Sequence, residues 1–125
     1  MKYRLMDILA CPICKKFPLE LIVFDETKSR YKPKEWKCEE YCGFSKEFVS
    51  KLEKLNCEEC LSREIAEGIL YCSNCNRWYP IIEEIPQMLP DELRDKNKDL
   101  SFLSKWKDKT PLKIVEGGKP YNLIG

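Results

Sequence analysis

"ILACPICKKFPLEL", Ile8 to Leu21, places two cysteines two residues apart, beside a proline, between an apolar turn and an apolar run. A Cys-x-x-Cys taken alone fits a redox pair as well as half of a metal site. The residues after Cys14 separate the two. A redox pair of the thioredoxin kind stands in a βαβ context, whereas Lys15, Lys16, Phe17 and Pro18 lead into "PLELIVF", which is apolar with β-branched members and reads as a strand. A second pair, Cys72-Ser-Asn-Cys75, lies between the strand-like runs "GILYC" and "RWYPII", at the tip of an apparent hairpin. The two-residue spacing lets both sulfurs of a pair reach one tetrahedral ion while backbone N–H groups point at the thiolates. Four thiolates select zinc over harder metals. Cys11, Cys14, Cys72 and Cys75 are therefore the expected ligands of one structural Zn2+, a closed site with no position left for catalysis.

The distance between the knuckles is no obstacle. Lengthening a loop from ~15 to ~57 residues adds only about 1 kcal/mol of closure entropy, against roughly 10 kcal/mol or more from a structural zinc. The remaining cysteines of the eight form two inner pairs, Cys38/Cys42 and Cys57/Cys60. They fit either a second zinc or two disulfides, and both arrangements would tie down a small insert that cannot build its own core.

Composition narrows the function classes. The chain has 125 residues, a net charge of +1, 34% charged residues and no histidine. One domain with an insertion suits that length, and the near-neutral charge makes no electrostatic case for nucleic acid as the main partner, while leaving room for a local basic patch. Abundant Lys and Glu with a single glutamine, Gln87, fits a heat-adapted source. No apolar run reaches the ~20 residues of a membrane span, and the N-terminus lacks a signal-peptide pattern. A cytoplasmic location is expected, where closely spaced cysteines more often bind metal than form structural disulfides. With no histidine, no glycine-rich phosphate loop and no nucleophile beside a base, the chain does not read as an enzyme. The neighbouring Glu83 and Glu84 would point to opposite sides of an extended chain and so form no acid–base couple.

Between the knuckles, Phe44, Phe48, Leu52 and Leu55 recur at steps of four, four and three, which predicts a helix with Ser45 as its N-cap. In the tail, Phe102, Leu103 and Trp106 fall at helical spacing, and "EGGKPYNLIG" reads as loop. The predicted architecture is α+β: a small zinc-ribbon-like β domain from residues 1–24 and 68–90, a helical insertion over 25–67 between the two knuckles carrying the extra cysteine pairs, and a charged C-terminal extension over 91–125. Leu19, Leu21, Ile69 and Leu70 are the expected core. "RWYPIIEEIPQMLP" carries more apolar side chains than a small zinc domain can hide. Its prolines suit a sheet edge or an extended arm, and such an arm calls for a covering partner. Trp78, Tyr79, Ile81, Ile85, Met88 and Leu89 are the candidate partner-binding residues.

As a set, the outer segments resemble the small zinc-binding activator subunit of methyltransferases found in eukaryotes and archaea, and its short bacterial relatives. The shared pattern is Leu5 to Leu9, Cys11/Cys14, Pro18-Leu19, Cys72/Cys75, Tyr79-Pro80-Ile81 and Ile85-Pro86-Gln87-Met88-Leu89, about half of the chain. Glu84 stands where the family often has glycine, the insert carries four additional cysteines, and the tail is longer. The resemblance, to the archaeal type, implies a non-catalytic subunit. It would form heterodimers with S-adenosylmethionine-dependent methyltransferases acting on tRNA, ribosomal RNA or a translation release factor. It would add an edge strand to the enzyme's sheet, cover an apolar face, and meet RNA only indirectly. The competing class is a zinc-ribbon nucleic-acid-binding module, against which the charge balance and Glu83/Glu84 weigh.

Overall fold

The computed structural model describes residues 1–28, 39–51 and 63–124. The chain is α+β, centred on a four-stranded antiparallel sheet. Strands β1 (Glu20–Lys28), β4 (Arg63–Tyr71), β5 (Trp78–Ile82) and β6 (Ile85–Pro86) stand side by side in that order. Between β1 and β4 in sequence, β2 (Tyr41–Cys42) and β3 (Glu47–Phe48) form a separate two-stranded hairpin. Helices α1 (Lys96–Lys105) and α2 (Leu112–Gly117) follow the sheet.

Side chains alternate across the sheet, and both faces are covered. Leu21, Leu70, Tyr79 and Ile81 face one core, with Met1, Tyr3, Met6, Leu19, Ile65, Cys11 and Cys72. Phe24, Ile69, Tyr71 and Trp78 face the other, with Phe102, Leu103 and Ile114 from the tail. A strand buried on both sides has no polar stripe, which is why "GILYC" and "RWYPII" read as continuous apolar runs. The expected core positions Leu19, Leu21, Ile69 and Leu70 are all buried.

The pairing of β1 with β4 runs past the predicted limits of residues 24 and 68, out to Lys28 and Arg63. It does so through two offsetting irregularities. The register passes from Val23↔Gly68 to Asp25↔Glu67 and then to Glu26↔Ile65, so Phe24 is extra on one strand and Ala66 on the other. On the β5 side, the Ala66 carbonyl accepts the Glu84 N–H at 3.0 Å. At the first irregularity, Gly68 lies so close to β1 that a Cβ would sit 2.4 Å from the Ile22 carbonyl oxygen. Because the obstacle is backbone, Gly68→Ala is expected to lower stability by about 1–3 kcal/mol, as overpacking does. Urea denaturation measures this, and an unchanged midpoint would mean that β1 yields freely.

Two sequence expectations are corrected. The helix expected to start at Ser45 is not formed over the described part of the insert. Tyr41 pairs with Phe48 and Cys42 with Glu47 around a turn in which Lys46 has φ 56°, and a 3-10 turn follows at Val49–Lys51. The aromatics meet across the hairpin instead of along a helix: the Tyr41 and Phe48 rings lie 5.5 Å apart, and Phe44 meets Tyr3 at 5.3 Å. Asp7 fixes the entry to this hairpin by accepting N–H bonds from Glu39, Glu40 and Tyr41 at 2.7–3.0 Å. Leu52 and Leu55 lie outside the described residues.

The second correction concerns Pro80, which sits within the sheet, opposite Ile69. Its carbonyl accepts the Gln87 N–H at 2.8 Å, so its backbone polar side faces away from β4. The missing N–H points the same way, and the β4–β5 ladder loses no bond.

The tail is an integral wall. Asp95 caps α1 by accepting the Lys98 N–H at 3.1 Å. The segment after α2 returns to the sheet: the Lys119 carbonyl accepts the Trp78 N–H at 3.1 Å, and the Tyr121 carbonyl accepts the Trp78 indole N–H at 2.8 Å. Arg94 is buried beneath this wall, donating to the Trp78 carbonyl at 2.6 Å, paired with Asp99 at 2.8 Å and lying 4.7 Å from the Trp78 ring centroid. Among the described residues, no helix is long and apolar enough to cross a membrane.

Candidate metal centre

The two Cys-x-x-Cys segments share little sequence yet fold alike. In the first, the Cys11 carbonyl accepts the Lys15 N–H at 2.8 Å and the Cys11 N–H donates to the Lys16 carbonyl at 3.0 Å. In the second, the Cys72 carbonyl accepts the Asn76 N–H at 2.9 Å and the Cys72 N–H donates to the Arg77 carbonyl at 2.8 Å. The residue after each second cysteine takes the left-handed conformation, Lys15 at φ 68° and Asn76 at φ 63°. Asn tolerates that region, whereas for Lys it is uncommon. The first knuckle thus holds its loop closed against a local preference.

The first knuckle precedes β1 and the second joins β4 to β5, so the sheet brings them face to face. The sulfurs of Cys11, Cys14, Cys72 and Cys75 all lie within 4.8 Å of one another. Cys11 is 3.6 Å from Cys75, and Cys14 is 3.3 Å from Cys72. A disulfide would need about 2.05 Å. A tetrahedral ion with Zn–S bonds of ~2.3 Å would space its sulfurs by roughly 3.8 Å. The donor set and its spacing therefore fit a tetrahedral metal such as zinc, and these four residues can hold the ion.

The protein environment already favours sulfur anions at part of the site. The Asn74 side chain, followed by the Lys16 N–H, brings the Cys14 thiol down to about 6. Burial pushes Cys11 up, but the Cys14 N–H, the Tyr79 hydroxyl and the Ile13 N–H together outweigh it and leave it lowered. Cys72, at the end of β4, is driven the other way by burial, up to about 12. A bound cation reverses that last preference, because a coordinating thiol is deprotonated outright.

The Tyr79 hydroxyl lies 3.3 Å from the Cys11 sulfur, and Tyr79 is fully buried. Arg77 forms a forked pair with Asp91, Nε at 3.0 Å from Oδ1 and Nη2 at 2.8 Å from Oδ2. Asp91 first and then Cys75 hold its guanidinium charged. The Tyr79 contact is not legible in the cysteine spacing, since it arises from β5 running back beneath the knuckles.

The candidate partner-binding residues divide. Trp78, Tyr79 and Ile81 are corrected to core, all three fully buried: Trp78 faces the wall formed by the tail, and Tyr79 and Ile81 face the core beneath the knuckles. Met88 is half-buried against that same core. Ile85 and Leu89 remain accessible, at 59% and 39% exposure, and Ile8, beside the first knuckle, is 69% exposed. Of the inner cysteines, Cys42 is buried in the hairpin and accepts the Ser45 N–H at 3.3 Å. Cys38, Cys57 and Cys60 lie outside the described residues.

No match is found among curated proteins. A family model described as Trm112p-like protein matches residues 2–84, a span that holds both knuckles. The chain belongs to the Trm112p-like family, which is known for activating methyltransferases.

Proposed function

From that membership we propose that the chain is a non-catalytic activating and stabilising subunit of S-adenosylmethionine-dependent methyltransferases that modify tRNA, ribosomal RNA or a translation release factor. One structural zinc on Cys11, Cys14, Cys72 and Cys75 holds its two knuckles together. The observation carrying this reading is that the family match encloses both halves of a four-thiol cluster whose spacing suits zinc. A site with four protein ligands has no open position for substrate or water, which supports a structural ion. The chemistry and the methyl donor belong to the partner, and the heterodimer works in the cytoplasm.

The partner-facing surface is drawn from what the fold leaves uncovered. Within the sheet, β5 is enclosed by β4 and β6, whereas β6 is two residues long and runs into the extended arm Ile85–Leu89. An enzyme's sheet edge can pair with this arm, main-chain bonds giving affinity and alternate side chains giving selectivity. Ile85 and Leu89 are the apolar anchors, and Met88 supports the arm from beneath.

Co-expression with candidate methyltransferases tests the proposal. The chain should co-purify with at least one and raise its solubility or turnover. In that complex, the double variant Ile85→Asp/Leu89→Asp is expected to weaken binding at least tenfold, the scale of a lost apolar anchor, while metal content and melting temperature stay at the unmodified values. Failure to alter any methyltransferase sinks the function. An unaffected complex with the double variant moves the interface elsewhere.

A further inference from the structure

We infer that Tyr79 is an outer-sphere positioning residue of the metal centre, its hydroxyl supporting the Cys11 thiolate; this rests on the zinc reading of the four outer cysteines. Tyr79 stands one strand position beyond Trp78 on β5, which leaves the second knuckle, yet its hydroxyl reaches Cys11 in the first.

The plain alternative is that Tyr79 is a core aromatic. Its hydroxyl argues otherwise. The side chain is fully buried, packed with Leu21, Leu70 and Ile81, where a phenylalanine would fill the space without burying an oxygen. A buried tyrosine hydroxyl needs a partner, and among the described residues the one it meets is the Cys11 sulfur at 3.3 Å. A metal-bound cysteine is a thiolate and can only accept, so the ion fixes the direction of this bond: the phenol donates. Four thiolates on a divalent ion leave a net charge of −2, and the hydroxyl proton offsets part of it at Cys11. Such partners commonly matter to metal affinity by ten- to a hundredfold.

The test uses the full chain loaded with zinc or cobalt. Zinc transfer to a coloured chelator is timed, and the sulfur-to-cobalt charge-transfer absorption is recorded. The unmodified chain should hold one ion at the outer cysteines. Tyr79→Phe keeps the ring and should still bind one ion. It should release zinc about tenfold faster or more, and its charge-transfer band should move to longer wavelength, because a thiolate without its hydrogen bond is a better electron donor. Ile81→Val, on the same strand and also buried, should leave both rate and band unchanged and so separates packing from hydrogen bonding. If Tyr79→Phe matches the unmodified chain in rate and band, the inference is wrong and Tyr79 is structural alone. A chain that takes up no metal at the four outer cysteines overturns the zinc reading together with this one.

Discussion

Cys72→Ser is expected to leave the chain unfolded at room temperature and unable to retain zinc. Cys72 is fully buried at the end of β4, within the core that also holds Cys11 and Met6. A structural zinc contributes on the order of 10 kcal/mol or more, comparable with the whole net stability of a domain, about 5–15 kcal/mol. Serine preserves the size of the side chain but not the thiolate, so the ion loses one of four ligands and a buried hydroxyl is left without its partner. Strong chelation of the unmodified chain should have the same consequence. Far-ultraviolet circular dichroism with metal analysis checks both; a variant that melts like the parent without metal would show that the sheet does not depend on the ion. Acid should act similarly, since protons compete with the metal for sulfur.

The second large effect is expected from Asp99→Ala, at about 3–5 kcal/mol of lost stability. The Arg94 and Asp99 side chains are only 2% and 7% exposed and lie 2.8 Å apart. Burial pushes the Asp99 carboxyl upward even against the opposing pull of Arg94. The pair is thus held in place by mutual need more than by net gain. Removing the acid strands a guanidinium beneath Trp78, whereas removing both charges, as in Arg94→Met/Asp99→Leu, should recover most of the loss, because an apolar replacement of a buried pair is often close to neutral. The Trp78 carbonyl, which accepts from Arg94 at 2.6 Å, limits that recovery. Denaturant titration of the single and double variants gives the coupling directly, and a single variant within about 1 kcal/mol of the parent would contradict the account, given the usual cost of breaking a buried pair.

The outer cysteines are readable because metal coordination writes itself locally: two sulfurs on one ion demand a short spacing, and each knuckle carries that demand in four residues. The strands around them are readable for the same reason, through β-branched runs and turn residues. The destination of the apolar surplus in "RWYPII" is not. One strand shows that Trp78 and Ile81 are greasy, but not that Phe102, Leu103 and Ile114, some twenty or more residues on, supply the other half of the Trp78 contacts. The insert misleads differently. Steps of four among Phe44 and Phe48 satisfy a helix, but a hairpin folding about Lys46 brings the same aromatics into use through ring contacts with Tyr3 and Tyr41. Tyr79 reads as a partner-facing residue in an isolated strand, since its oxygen finds Cys11 only after the sheet has formed.

The wall laid over Phe24, Ile69 and Trp78 by residues 96–123 stands wholly beyond the family match, which stops at 84. The matched region is therefore shorter than the unit that packs together. A chain trimmed to residues 2–84 would keep both knuckles and nearly all the strands, yet would leave its sheet with a wet, oily back.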